Sequence, residues 1–378
     1  MLRKRVKTAA FRVPPDLGAD ARNRGRAAGL QDGYDEGYLR GRADVIVNRH
    51  RASFPLRNIR VLYVASGKGY PYSPIDEAVI TTLRTLTAEV ILTDPHQPVA
   101  TLADQHRPDL VLALDGMELR AEEVAAVRAM GIRTAVWLTD DPYYTDITVH
   151  LAPHYDYVFT LELNCISFYQ QIGCANVHYL PFGAFTEHYK PVRTMSAIRR
   201  EISFIGSAYW NRVNFLSPII GSLMERGLGI NGIWWDRLPE YAQYADRIEL
   251  GKWMGPRETA EVYSGSKIVI NLHRSHEDDT VNNNAIRLHA DSPNPRTFEI
   301  AASGTLQLID QRADLARFYT PGVEIETYES PQELLEKVDF YLTHEKERRD
   351  IALRALERTY SEHTYAHRIN EMFTVIFG

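Results

Sequence analysis

Cysteine is scarce in this chain: Cys165 and Cys174 are the only two among 378 residues. Their spacing suits neither a CxxC redox pair nor a zinc site, so reduced thiols of a cytoplasmic protein are the simplest reading, with a single disulfide as the alternative. Long apolar runs are missing as well. No stretch approaches the roughly 18 residues that would cross a bilayer, so no transmembrane segment is expected. The basic N-terminus, MLRKRVKTAAFRVPPD, has no apolar segment behind it to make a secretory signal. An excess of positive charge is also absent. The formal net charge of −6 argues against a nucleic-acid partner, which usually demands a basic surface. What remains is a globular composition, 44% hydrophobic and 24% charged, in a chain long enough for two domains and an extension.

Residues 1–53 read as that extension. Gly25, Gly29, Gly33, Gly37 and Gly41 recur at every fourth position, which places them along one slowly drifting stripe if the segment is helical. Each glycine costs about 1 kcal/mol against alanine in a helix. A helical arm would therefore want close contact along the stripe, and the alternative is a flexible polar tail. The stripe, flanked by Tyr34 and Tyr38, is a candidate surface for docking or for assembly into a homo-oligomer. Charges at Arg24, Arg26, Asp32, Asp35, Glu36 and Arg40 exclude a glycine zipper inside a membrane.

From Ile59 onward, strand-like and helix-like segments alternate. Strands are predicted over 60–65, 89–92, 109–114, 133–138 and 155–160, with helices over 74–86, 101–107, 118–130 and 164–171 between and after them. A polar stretch over 187–200 reads as a linker, and the alternation restarts. Strands are predicted over 201–206, 229–234, 267–272 and 306–309, with helices over 211–226, 258–264, 331–342, 346–360 and 366–377. Alternation of this kind means an α/β fold with parallel, doubly wound sheets. The expected organisation is a Rossmann-like domain over 54–190, a second over 191–360, and a C-terminal helix over 361–378 that returns to the first. Ligands of such sheets bind beyond the carboxyl ends of the strands, so the loops 67–72 and 140–144 form the working edge of the first domain.

The stretch ADSPNPRTFEIAASGTLQLID, 290–310, carries the densest chemistry. A proline-broken loop leads into a helix that begins at Pro295, where the missing N–H costs nothing, and ends at Gly304. Free N–H groups at the helix start and the charge of Arg296 make an anion site. Glu299, one turn further on, is better suited to holding hydroxyls. Together they suggest a ligand that is part phosphate and part sugar. The cluster His273, His276, Asp278, Asp279 and His289 matches no standard metal-ligand spacing, so no metal is expected.

The run from NPRTFEIAASG to SEHTY (294–365) resembles the C-terminal half of CgeB-like spore-maturation proteins and their glycosyltransferase relatives. The pieces WLTDDPYY and HYLPFGAF resemble the N-terminal half of the same group. The resemblance implies a GT-B fold, with a nucleoside-diphosphate sugar held by the second domain and an acceptor by the first. It implies no cofactor and no metal. Family 4-type relatives carry an E-x7-E pattern. Glu299 matches the later, ribose-binding position, and Asp291 falls at the earlier, sugar-binding one, with Asn294 sharing that role. The same resemblance puts Arg296, Gly206, Ser207 and Arg212 around the diphosphate, Trp253 at the base, and His273 in the same cleft.

On the acceptor side the first domain's working edge offers Gly67, Lys68, Tyr70 and Tyr143, with Asp140 and Asp141 as candidate catalytic carboxylates. The implied activity is metal-independent transfer of a sugar to a glycan, polysaccharide or protein acceptor, with the E-x7-E similarity leaning towards retention. A nucleotide-sugar epimerase or hydrolase, and a surface-assembly protein that keeps the fold without turnover, are the alternatives.

Overall fold

The structure, a computed structural model, describes residues 15–378; the first part of the extension, 1–14, lies outside the described residues. Two parallel six-stranded sheets form the frame. The first contains β1 (Arg57–Val64), β2 (Thr87–Thr93), β3 (Leu110–Leu114), β4 (Arg133–Trp137), β5 (Tyr157–Thr160) and β6 (Val177–Tyr179), in the order β2-β1-β3-β4-β5-β6. The second contains β7 (Arg200–Ile205), β8 (Leu228–Gly232), β9 (Ile248–Leu250), β10 (Ser266–Asn271), β11 (Leu306–Asp310) and β12 (Glu326–Tyr328), in the order β12-β11-β10-β7-β8-β9. Helices cover both faces of each sheet, which is why β3, LVLAL, is buried along its whole length rather than at alternate residues. Strand order reverses between β1 and β3 in one sheet and between β7 and β10 in the other. Those are the points where such sheets open a crevice.

Several segments differ from expectation. The helix predicted over 211–226 is two short helices, Trp210–Leu216 and Ile220–Glu225, around a turn at Ser217–Ile219. Pro218 lies in that turn, has no N–H to continue the ladder, and breaks it. The edge strands β6, β9 and β12 and the helix Thr145–Leu151 were not foreseen. Each of those strands has only three residues, too few to show a pattern.

The extension contains a helix, Pro15–Arg49. Its last part packs against the helix Glu345–Glu362, with Ala43 buried and Leu39, Ile46 and Val47 lying near Leu353 and Leu356. The glycine stripe faces open space: a Cβ added at any of Gly25, Gly29, Gly33, Gly37 or Gly41 would meet nothing within 4 Å. The C-terminal helix, Tyr365–Phe377, crosses back to the first sheet. There Ile369, Met372 and Phe373 share a core with Val79 and Leu83. The crossing passes Gly183, where a Cβ would lie 2.6 Å from the Thr364 backbone. Only glycine fits that approach. Among the described residues, no helix is long and apolar enough to cross a membrane.

Candidate functional site

The crevices of the two sheets face each other across a cleft of about 400 Å³, lined by residues of both halves. The second half contributes its helix Pro295–Ala302. Asn294 caps it by accepting the Thr297 N–H, and Pro295 occupies the first turn. This sets Arg296 and Glu299 on the cleft side of the helix. Across from them, β7 gives way to Gly206, whose φ of 152° is open chiefly to glycine. A Cβ there would stand 3.0 Å from Arg212 Nη1 and 3.3 Å from Arg296 Nη2. The missing side chain is what lets two guanidinium groups converge.

Arg212 is only 2% exposed. Its Nε donates to the Leu272 carbonyl at 2.8 Å and its Nη1 to the Ser207 carbonyl at 2.9 Å. The Tyr209 ring lies 5.0 Å from its guanidinium. Burial, and then the charge of Arg296, push its pKa down to about 9. Among the described residues neither Arg212 nor Arg296 forms an ion pair, although ion pairs are common elsewhere in the molecule. Two adjacent cations with no carboxylate at ion-pair distance form an arrangement that an anion can neutralise. Beside them Glu299 is partly open to the cleft. Burial raises its pKa to about 7, against the opposing pull of Arg296 and of the Tyr189 hydroxyl.

The remaining predicted donor residues take other places. His273 lines the cleft, but both ring nitrogens are engaged: Nδ1 lies 2.5 Å from Asp310 Oδ1, and Nε2 accepts the Asn294 N–H at 2.8 Å. Burial lowers its pKa to about 4, so it is neutral. It positions the loop ahead of the helix and has no ring nitrogen left for a donor. Asn294 is similarly occupied, by its cap and by a 2.9 Å bond to Asn271. Asp291 does not line the cleft. Its carboxylate accepts from Asn164 at 2.8 Å, on the first half. The sugar-binding assignment at that position is therefore corrected. Ser207 lines the cleft, and Trp253, 52% exposed, stands at its mouth with Tyr70, ring centres 5.6 Å apart. The Tyr70 hydroxyl donates to the Met254 carbonyl, so this residue bridges the halves.

On the first half the predicted pair Asp140–Asp141 splits. Asp140 faces the cleft, accepting from the Tyr72 hydroxyl at 2.9 Å and from Thr139 at 2.8 Å, and burial raises its pKa. Asp141 is buried, with one oxygen taken by Tyr169 at 2.7 Å and the other by Thr160 at 2.6 Å. Burial raises it to about 6. It too borders the cleft, but with both oxygens engaged it has none free to take an acceptor proton. Lys68 and Gly67 do not line the cleft. Lys68 pairs with buried Asp115 at 2.7 Å, and Gly67 is needed because a Cβ would press on Pro95 at 2.4 Å. Both are corrected as acceptor contacts. Tyr143 does line the cleft, donating to the Arg274 carbonyl at 3.1 Å beneath the Arg274 guanidinium.

Sequence reasoning missed Glu162, a buried acid that ties the halves together. It accepts N–H groups from Asn164 at 3.1 Å and from Asp291 and Ser292 at 3.0 Å. Burial raises its pKa to about 7. No local pattern marks it, because two of its partners belong to the other half. The His/Asp cluster does not converge on one point: His273 turns to Asp310, Asp279 pairs with Arg287, and His276 lies tilted against His289 with ring centres 4.3 Å apart. Both cysteines are free and buried.

Residues 208–374 match a family model described as glycosyl transferase-like. The chain is 29% identical over 310 residues to spore protein CgeB of Bacillus subtilis, covering 81% of this chain and 95% of that one. Among solved structures, sucrose-phosphate synthase from Thermosynechococcus elongatus aligns with a TM-score of 0.58 at 10% identity, over 85% of this chain and 99% of that one. Anabaena HepE in complex with UDP and glucose aligns at 0.56 and 12%, over 84% and 99%. At such identities these structures speak for the fold, which is GT-B: two Rossmann-like domains facing a cleft.

Proposed function

We propose that this chain, which is similar to spore protein CgeB and matches a glycosyl transferase-like model on a GT-B fold, moves a sugar from a nucleoside-diphosphate sugar to a glycan, polysaccharide or protein acceptor in the cytoplasm. One observation carries this reading: Arg212 and Arg296 converge on Gly206 without a carboxylate partner, in the same cleft as Glu299. The diphosphate sits between the two guanidinium groups at the helix start, and Glu299 accepts hydrogen bonds from ribose hydroxyls. On this reading 191–360 is the donor domain and 54–190 the acceptor domain.

In the reaction the bond between the anomeric carbon and the β-phosphate oxygen breaks, and one from that carbon to an acceptor oxygen forms. The growing charge on the leaving diphosphate is stabilised by cations already in place. The protein supplies that charge itself, so transfer is expected without added metal. The acceptor proton passes either to Asp140, giving inversion, or to the departing phosphate, giving retention. The E-x7-E similarity favours the second route. Closure of the cleft keeps water from the donor.

The test is a thermal-shift and turnover panel with UDP-, GDP- and dTDP-sugars, UDP-sugars first because HepE was crystallised with UDP and glucose. Arg296→Ala and Glu299→Ala should each abolish the shift and the transfer while the unliganded melting temperature holds. Donor binding that survives both changes would overturn the assignment. A wild-type chain that binds no nucleotide sugar would favour a surface-assembly role.

A further inference from the structure

One cation of the cleft has no part in the diphosphate pair. Arg274 lies three residues past the end of β10 and lines the cleft. It is 9% exposed, and its guanidinium is set among tyrosine rings, 4.5 Å from the centre of Tyr143, 4.7 Å from Tyr209 and 5.7 Å from Tyr144. Tyr143 belongs to the first half and Tyr209 to the second, and both line the cleft. The charge therefore stands at the seam of the two halves, beside the space they share. Its Nη2 donates to the Val281 carbonyl at 2.6 Å, and its Nε is sealed from solvent without a partner. Nη1 has no hydrogen-bond partner among the described residues and is not sealed. It is the nitrogen left to meet a ligand.

Among the described residues no carboxylate comes within ion-pair distance of Arg274. An aromatic face attracts a cation without neutralising it, and a charge taken out of water is costly while it lacks a counter-charge. A sugar hydroxyl could accept one of the Nη1 hydrogens, but it would leave the charge unbalanced. A carboxylate would accept the hydrogen and balance the charge. The Tyr209 ring also lies 5.0 Å from the guanidinium of Arg212, the more buried of the diphosphate pair. Arg274 is thus one ring away from the anion site, on the side towards the first half. What extends from a nucleoside diphosphate in that direction is the sugar it carries.

We propose that Arg274 recognises an acid group on the transferred sugar, so that the donor is a nucleotide-activated uronic acid. This deepens the donor reading of Arg212 and Arg296 and rests on it. The experiment is calorimetry on the full chain with UDP, GDP and dTDP, each bare, carrying a neutral hexose, and carrying the corresponding hexuronate. With the nucleotide that binds, the uronate donor should bind about tenfold tighter than its neutral counterpart, the worth of one charge-assisted hydrogen bond. Arg274→Gln should remove that preference, and Arg274→Lys, which keeps the charge, should retain part of it. The wild-type comparison stands by itself if Arg274→Gln does not fold. Bare nucleotide that binds while neutral and uronate donors bind alike would overturn the uronate assignment and leave the donor site in place. Binding of no bare nucleotide and no nucleotide sugar would overturn both. Equal weakening of bare nucleotide and uronate donor in Arg274→Gln would make Arg274 a third diphosphate contact, which also overturns the inference.

Discussion

Each half of the molecule places a cation soon after its first strand, and the two meet opposite fates. Lys68, following β1, pairs at 2.7 Å with Asp115, a fully buried carboxylate just past the end of β3. Its ammonium also lies 4.7 Å from the Tyr72 ring centre. Arg212, following β7, donates to two backbone carbonyls and has a second cation, Arg296, as its neighbour. Just past the end of β10, the place corresponding to Asp115, stands Leu272, which offers only its carbonyl. Both positions are the switch points of their sheets. The frame therefore provides two equivalent crevices, and a single acid decides which of them is left electrically open to an anion.

The most severe way to probe that contrast is to remove the first half's neutralisation. Lys68→Met would leave Asp115 buried and unpaired, which should destabilise the fold by about 3–5 kcal/mol in urea unfolding. Adding Asp115→Leu should restore most of the loss, and donor affinity should not move in either variant. Weaker donor binding at unchanged stability would place the Lys68 loop in the site after all. Next in size is the divided acid pair. Since the departing phosphate is the favoured proton acceptor, Asp140→Asn should keep transfer at saturating donor within a few-fold of wild type, whereas Asp141→Asn should show its effect in melting temperature. A loss of about 100-fold in Asp140→Asn would instead assign the acceptor proton to Asp140 and the reaction to inversion.

The sequence makes some of this contrast legible and hides the rest. Arg296 and Glu299 could be read because a loop, a proline and an i,i+3 pair at a helix start are all local features. The central strands could be read because burial on both faces writes unbroken apolar runs such as LVLAL. Spacing alone misplaced Asp291: it records how far apart residues lie, not the direction in which the loop before Pro293 turns them, which here is towards Asn164. Asp140 and Asp141 are adjacent in the chain yet serve different surroundings. Whether Lys68 was free depended on Asp115, and Glu162 depends on Ser292, 130 residues away in sequence. A partner supplied by folding cannot be seen from either residue alone.

A smaller effect concerns pH. Burial raises Glu299 from its ordinary 4.5 to about 7, so in the unliganded protein the carboxyl stays protonated where the unfolded chain would have ionised. Stability from this group is full below pH 4.5 and is lost as pH rises towards 7. Donor binding needs the carboxylate, and so should strengthen over the upper part of that window. From pH 6 to pH 8 the affinity for a nucleotide sugar, measured by calorimetry, should rise about tenfold. Glu299→Gln should flatten the profile. A pH-independent wild type would remove Glu299 from the donor contacts.

The same contrast between partnered and open surface runs along the extension, and it gives the smallest predicted effect. Near Ala43 the arm helix is packed on Leu353 and Leu356, while at Gly33 an added Cβ meets nothing within 4 Å. In a single chain Gly33→Ala should therefore favour the helix by about 1 kcal/mol, seen as roughly fivefold slower amide exchange in the arm. Against the inner face of a second helix the same methyl would act in the other direction, because backbones that approach through glycine cannot accept a side chain there. Sedimentation of wild type and variant distinguishes the two. Slower exchange with unchanged mass leaves the stripe open, and a wild-type dimer that Gly33→Ala dissociates assigns it to self-association.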